Sequence, residues 1–348
     1  MNLLKSMMLS PDALSPFRKP LLQIRTSTIT GILGAVAIAT TNALPSMAAD
    51  PFRSSNPSAI DDQTEQAFYE MFRDGDYQEA RQLLTNANAD EPLAHAMNAA
   101  FAYLDADWDM LKLRAEQTLN AATALETSDP LRSHLYKAVG HFMEGAYIFS
   151  TENSITSIPK TLGKLNEVLG NMKAAENINS TDPELNVLKG FMDLQIAVAL
   201  PRSNPEETIT RLETYGAPDY LVKRGIAIAY RDLEQYDKAL EYVDEAIMST
   251  TAENPDLKNP DLLYLKGQIL RNQADDLDGE DQEATLKASV RNFRQAFEHR
   301  AQMPQALAED LGFEFCRAKD VLQGRERGRQ ACRNWVDHQF ANASDHAE

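Results

Sequence analysis

The sequence predicts an all-α protein, an α-solenoid of antiparallel helix pairs. Three observations lead there. Tyr230, Tyr236, Ala239, Val243 and Ala246 stand at offsets 0, 6, 9, 13 and 16, so bulk falls where two helices interlock and Ala where they approach closely. Ala, Leu, Glu and Gln are abundant and only 15 Gly and 16 Pro occur in 348 residues. Such residues lose little side-chain entropy in a helix. No alternating apolar pattern runs longer than a few residues, which argues against strands.

Residues 1–48 are of another kind. Arg18, Lys19 and Arg25 precede an apolar, small-residue run over 29–39, too short to span a bilayer. Ser46-Met47-Ala48 then puts small residues at the −3 and −1 positions of a cleavage site. This reads as a secretory signal peptide cut after Ala48, with Met7 or Met8 as alternative starts and an uncleaved anchor as the alternative fate. The expected location is periplasmic or secreted. Removing 1–48 takes away four basic residues (Lys5, Arg18, Lys19, Arg25) and one acidic (Asp12). That leaves thirty basic residues against fifty-one acidic, a net of −21. Such a surface repels phosphate backbones and anionic membranes, so no nucleic acid and no membrane insertion of the mature chain are expected. The acidity serves either solubility alone or attraction to a basic partner.

Residues 49–60, rich in Pro and Ser, are expected to form a disordered leader. A first unit covers 61–94: Tyr77, Ala80, Leu84 and Ala87 match Tyr236, Ala239, Val243 and Ala246, and Pro92 follows. Phe68 stands where a small residue is usual. The segments 95–105 and 108–125 read as a helix pair, as do 131–149 and 159–178, joined by a polar loop over 150–158. Thr181-Asp182-Pro183-Glu184 resembles an N-cap with Pro in the first turn and opens a helix to about Leu200. Pro201 and Pro205 break it, and 206–215 is short and helical. A unit at 219–250 follows, then one at 260–303, whose helices (262–273 and 286–300) flank an acidic insert. A hairpin at 304–341 caps the array, and 342–348 is a tail.

The spacing resembles tetratricopeptide (TPR) units. With the exported context, the chain resembles a family of cyanobacterial secreted TPR-repeat proteins whose biochemical role is undefined. The resemblance is specific around Tyr77–Pro92 and Tyr230–Ala246 and degenerate between them. It implies an α-solenoid exported to the periplasm and carries over no catalytic residue. In TPR proteins the first helix of each unit lines a concave face. Here that face would hold Asp62, Glu65, Tyr69, Phe72 and Arg73, then Leu221, Arg224, Ile228, Arg231 and Asp232. Aromatics mixed with arginines suit recognition of a protein or peptide. The alternative is that Tyr69, Phe72 and Ile228 pack against neighbours. A second functional reading is a small-ligand binder associated with a transporter, with Phe142, Met143, Tyr147 and Phe149 lining a channel.

Other chemistry is thin. Cys316 and Cys332 are the only cysteines past the leader, and export favours a disulfide over two buried thiols. His134 and His141 lie seven apart on one helix face, about 10 Å along the axis, too far to converge on one ion. The stretch 275–281 fails the calcium-loop pattern, because Ala274 and Thr285 would fall at ligand positions. Gly-rich phosphate loops, nucleophile elbows and H-E-x-x-H or C-x-x-C motifs are absent, so no enzyme, metal or cofactor is expected.

Overall fold

The computed structural model describes residues 50–152, 154–199, 205–252, 254–325 and 327–344. The expected signal peptide, its cleavage site and most of the expected break at Pro201 and Pro205 lie outside the described residues. These residues hold fourteen α-helices and no strand, packed in sequence-adjacent pairs as in an α-solenoid. The helices are α1 (Asp62–Tyr69), α2 (Tyr77–Leu84), α3 (Pro92–Leu104), α4 (Trp108–Ala124), α5 (Pro130–Thr151), α6 (Ser154–Ile178) and α7 (Pro183–Ala199). Then come α8 (Glu206–Tyr215), α9 (Asp219–Asp232), α10 (Tyr236–Thr251), α11 (Pro260–Gln273), α12 (Gly279–Glu298), α13 (Gln305–Leu322) and α14 (Arg329–Ser344).

A local device recurs at the start of the first helix in four pairs. Glu91-Pro92, Asp129-Pro130, Asp182-Pro183 and Asn259-Pro260 each set a capping side chain before a proline. Proline fixes φ for the first turn, where its missing N–H costs nothing. The side chain before it accepts from Leu93 N at 3.0 Å, Arg132 N at 3.1 Å, Leu185 N at 3.0 Å, and Asp261 N at 2.9 Å respectively. Each such cap is worth about 1 kcal/mol.

The spaced residues form the core. Tyr77, Ala80, Ala239, Val243, Ala246 and Phe293 have no exposed surface. Close approach is carried by glycine where Ala would be too large: a Cβ on Gly225 of α9 would lie 2.0 Å from Cε1 of Phe191 on α7.

Three expectations are corrected. The leader is packed rather than disordered over Asp50–Ile60. Phe52 and Ile60 are buried, and the Phe52 ring sits 4.8 Å from that of Phe68, edge to face. The bulk at Phe68, out of pattern for a helix partner, is there to receive the leader. The loop expected over 150–158 is mostly helix, because α5 continues to Thr151 and α6 begins at Ser154 and runs through Pro159. The acidic insert also folds: Ala274–Asp276 is a 3₁₀ turn and Glu280 and Asp281 enter the first turn of α12, where the helix dipole favours carboxylates.

The first pair departs furthest from a simple stack, in which each unit touches only its neighbours. Between α1 and α2 the chain makes a π-turn at Glu70–Asp74, closed by Gly75 at φ 73°. This turn packs on α9, and α2 packs on the 3₁₀ turn Arg300–Gln302 before α13. The array therefore closes on its own first pair.

The other end is closed covalently. Cys316 of α13 and Cys332 of α14 are bonded, with a sequence separation of 16 and both residues buried. A cross-link closing a loop of that size is worth roughly 3 kcal/mol in the chain-entropy model. Reduction, or Cys332→Ser, should lower the urea midpoint by the equivalent of that amount; unchanged midpoints in both experiments would refute the role of the staple.

Candidate functional site

The leader and the first pair lie against the N-terminal ends of the first helices of later pairs. The ends of α3, α5 and α7 bring charged side chains to one buried place. Asp50 first shapes the leader: its Oδ1 accepts from Phe52 N at 2.8 Å and Arg53 N at 3.3 Å, and its Oδ2 accepts from Ser58 N at 2.9 Å. The resulting turn projects Arg53 into the array. Arg53 Nε and Nη2 donate to the two oxygens of Asp182 at 2.7 and 2.8 Å, Nη2 also to Glu184 at 2.9 Å, and Nη1 to Asp50 at 2.7 Å. Glu184 accepts in addition from Arg132 Nε at 3.3 Å and from the Tyr136 hydroxyl. Arg132 Nη2 donates to Glu91 at 2.8 Å. The Ser58 hydroxyl meets Asp129 at 2.9 Å.

Four carboxylates (Asp50, Glu91, Asp182, Glu184) thus face two guanidinium groups. The remaining negative charge is held at helix N-termini, where backbone N–H groups and the dipole favour it. Burial by itself would raise the Glu184 carboxyl, but Arg132, Arg53 and Tyr136 hold it below the ordinary range. Among the described residues Arg132 is the cationic partner of Glu91, and burial leaves the Glu91 carboxyl raised. Burial alone would likewise weaken the charge on Arg132, yet Glu184 and Glu91 keep its pKa well above the usual value.

A second set of contacts fastens the first pair to α9 and α11. The Asn259 amide donates to Phe72 O at 3.2 Å and Arg73 O at 3.0 Å, while its Oδ1 caps α11. Gly75 fits against it, since a Cβ there would lie 2.7 Å from both Asn259 Oδ1 and Pro260 Cδ. Asp261 Oδ2 accepts from the Tyr77 hydroxyl at 3.1 Å and from Arg224 Nη2 at 2.7 Å. Gln78 Nε2 donates to Met303 O at 3.0 Å.

The residues expected on an open groove are placed as follows. Phe72, Leu221, Arg224, Ile228 and Arg231 are buried; Glu65, Tyr69 and Arg73 are half-buried. The structure brings the two sets together, because the π-turn packs on α9, and Arg224 and Arg231 are paired within the protein. Arg231 donates to Gln268 Oε1 at 2.8 Å and pairs with Asp232. Met143 is buried, and Phe142, Tyr147 and Phe149 pack against the core. His134 meets Asn171, and His141 meets Glu144.

Arg53, Glu91, Arg132 and Glu184 were not singled out from sequence. The signal for them is the recurrent acid-proline dipeptide with a charged residue within two positions after it, as in Asp129-Pro130-Leu131-Arg132 and Asp182-Pro183-Glu184. No family model matches the chain, and neither does any curated protein or solved structure.

Two measurements probe this site. Arg132→Met removes one partner from a buried pair and should cost about 3–5 kcal/mol in urea unfolding. Arg81→Met breaks a partly exposed pair with Asp105 and should cost under about 1 kcal/mol. Similar losses for both would contradict the assignment. The second measurement concerns Glu70, whose carboxyl is pushed up to about 8 by burial, then by Asp74, Asp76 and Glu79, with Arg73 opposing. At Glu70 the folded chain keeps a proton that the unfolded chain loses near 4.5, so the contribution of this residue to stability falls as pH rises from there to about 8 and is level outside that window. Glu70→Gln should therefore stabilise by about 1–2 kcal/mol at pH 8 and be neutral at pH 4; an equal effect at both would exclude the linkage.

Proposed function

We propose that this chain is an exported, non-catalytic scaffold of tetratricopeptide-like units that binds a protein or peptide at the rim formed by the N-terminal ends of its first helices. One observation carries the reading. The rim already holds a short non-helical segment, Asp50–Ile60, through a forked arginine pair, a packed phenylalanine and a serine hydroxyl, with contacts reaching 131 residues along the chain. A surface that holds its own polypeptide this way has the chemistry to hold another's. Export is supported by the disulfide, which persists in oxidising compartments. No described helix is long and apolar enough to cross a membrane.

The binding surface in this reading is the rim and the half-buried residues beside it, Glu65, Tyr69 and Arg73. It is not Phe72 or Arg224, whose substitution would unfold the first pair's anchorage. Photo-crosslinking side chains placed at Glu65 or Tyr69 should capture members of a short-peptide library. The same group at Met248, 70% exposed on α10, should capture none. Equal capture at all three positions, or none at the rim, would remove the proposal.

A further inference from the structure

The contacts of Arg53 describe a ligand class. Three of its nitrogens are used, and two of them run parallel into the two oxygens of Asp182 at 2.7 and 2.8 Å. Only a planar guanidinium offers that fork; an ammonium presents a point charge. The leader also brings Asp50, which pairs with Arg53 at 2.7 Å. Without the leader, the rim keeps Glu91, Asp182 and Glu184 against Arg132 alone, three carboxylates facing one cation. With the leader seated these carboxylates are buried, so any segment that covers the place again must bring a cation to meet them. Next to it, Phe68 packs edge to face with an aromatic ring, at present that of Phe52.

The leader is also separable from the helices. Its described residues meet the later pairs through side chains, and no helix of the array contains any of them. Overall charge favours a basic visitor, since the chain carries a net −18.

We propose that Asp182 and Glu184, held in place by Arg132 and its partner Glu91, form a guanidinium-recognition site. Arg53 is its resident ligand in cis. The partner class is a polypeptide turn bearing an aromatic residue followed by arginine, which binds by displacing the leader. This rests on the reading of the rim as a peptide-holding surface and adds the chemistry it selects and the segment that keeps it closed.

The test uses the full chain. Arg53→Ala should lower the melting temperature, and millimolar methylguanidinium should restore at least half of the loss. Methylammonium at the same concentration should restore little, and Arg53→Ala/Asp182→Asn should not respond to either cation. Equal recovery with both cations, or recovery with neither, overturns the proposal. Where Arg53→Ala does not fold, the unsubstituted chain supplies the readout. A synthetic peptide of residues 50–60 in excess should raise amide hydrogen exchange across 52–58 severalfold, and its Arg53→Ala version should not. Unchanged exchange with the arginine peptide overturns the proposal as well. Recovery by methylguanidinium without any peptide captured at Glu65 or Tyr69 would keep the guanidinium site and remove the scaffold reading. Peptide capture without guanidinium selectivity would do the reverse.

Discussion

Two guanidinium groups, Arg53 and Arg132, share one carboxylate, Glu184, whose side chain has no exposure to solvent. The arrangement constrains much of what surrounds it. A charge taken out of water costs several kcal/mol unless its partners are in place, so the pair fixes where α5 and α7 begin relative to each other and where the leader must lie. The prolines at positions 130 and 183 serve the same end. They start both helices at defined residues, so that Arg132 and Glu184 emerge from first turns and meet. The ion pairs specify geometry more than they stabilise it, because well-packed apolar residues could fill the same volume at similar stability.

Much of the fold was legible because apolar spacing dictates helix faces. Tyr77, Ala80, Ala239, Val243 and Ala246 are buried as their spacing required, and the cysteine pair is bonded. Pattern reading failed where contacts are remote in sequence. Nothing local in Asp50-Pro51-Phe52-Arg53 distinguishes a docked turn from a loose tail; its partners are Asp182, Glu184 and Phe68. The groove residues illustrate the same limit. Arg224 and Arg231 do lie on one face of α9, but whether that face meets solvent depends on Asp261, Gln268 and the first pair. A helical period says which residues share a face and is silent on what covers it.

Phe68 shows how an apparent defect in a pattern can carry information. A large residue where a repeat takes a small one signals either a worn unit or an additional neighbour. Here the neighbour exists, and it is the segment composition marked as disordered. Two misfits, an oversized side chain and an aromatic within a Pro- and Ser-rich stretch, resolve each other.

The two ends of the array are closed by different physics, and the difference bears on how the protein can work. At the C-terminal end α14 packs on α13 and, through Trp335 and Phe340, on Phe297 of α12, and a covalent bond to α13 holds it as well. At the other end the first pair is gripped by the backbone-to-Asn259 contacts and by Tyr77 on Asp261, and the leader, whose Phe52 packs on Phe68, is tied to α7 by Arg53. A disulfide cannot be exchanged for a ligand without chemistry, whereas a hydrogen-bonded ion pair can be exchanged for another of the same geometry. Recognition by substitution is therefore available at the first end and not at the last, and the place where it is available is the one built around Glu184.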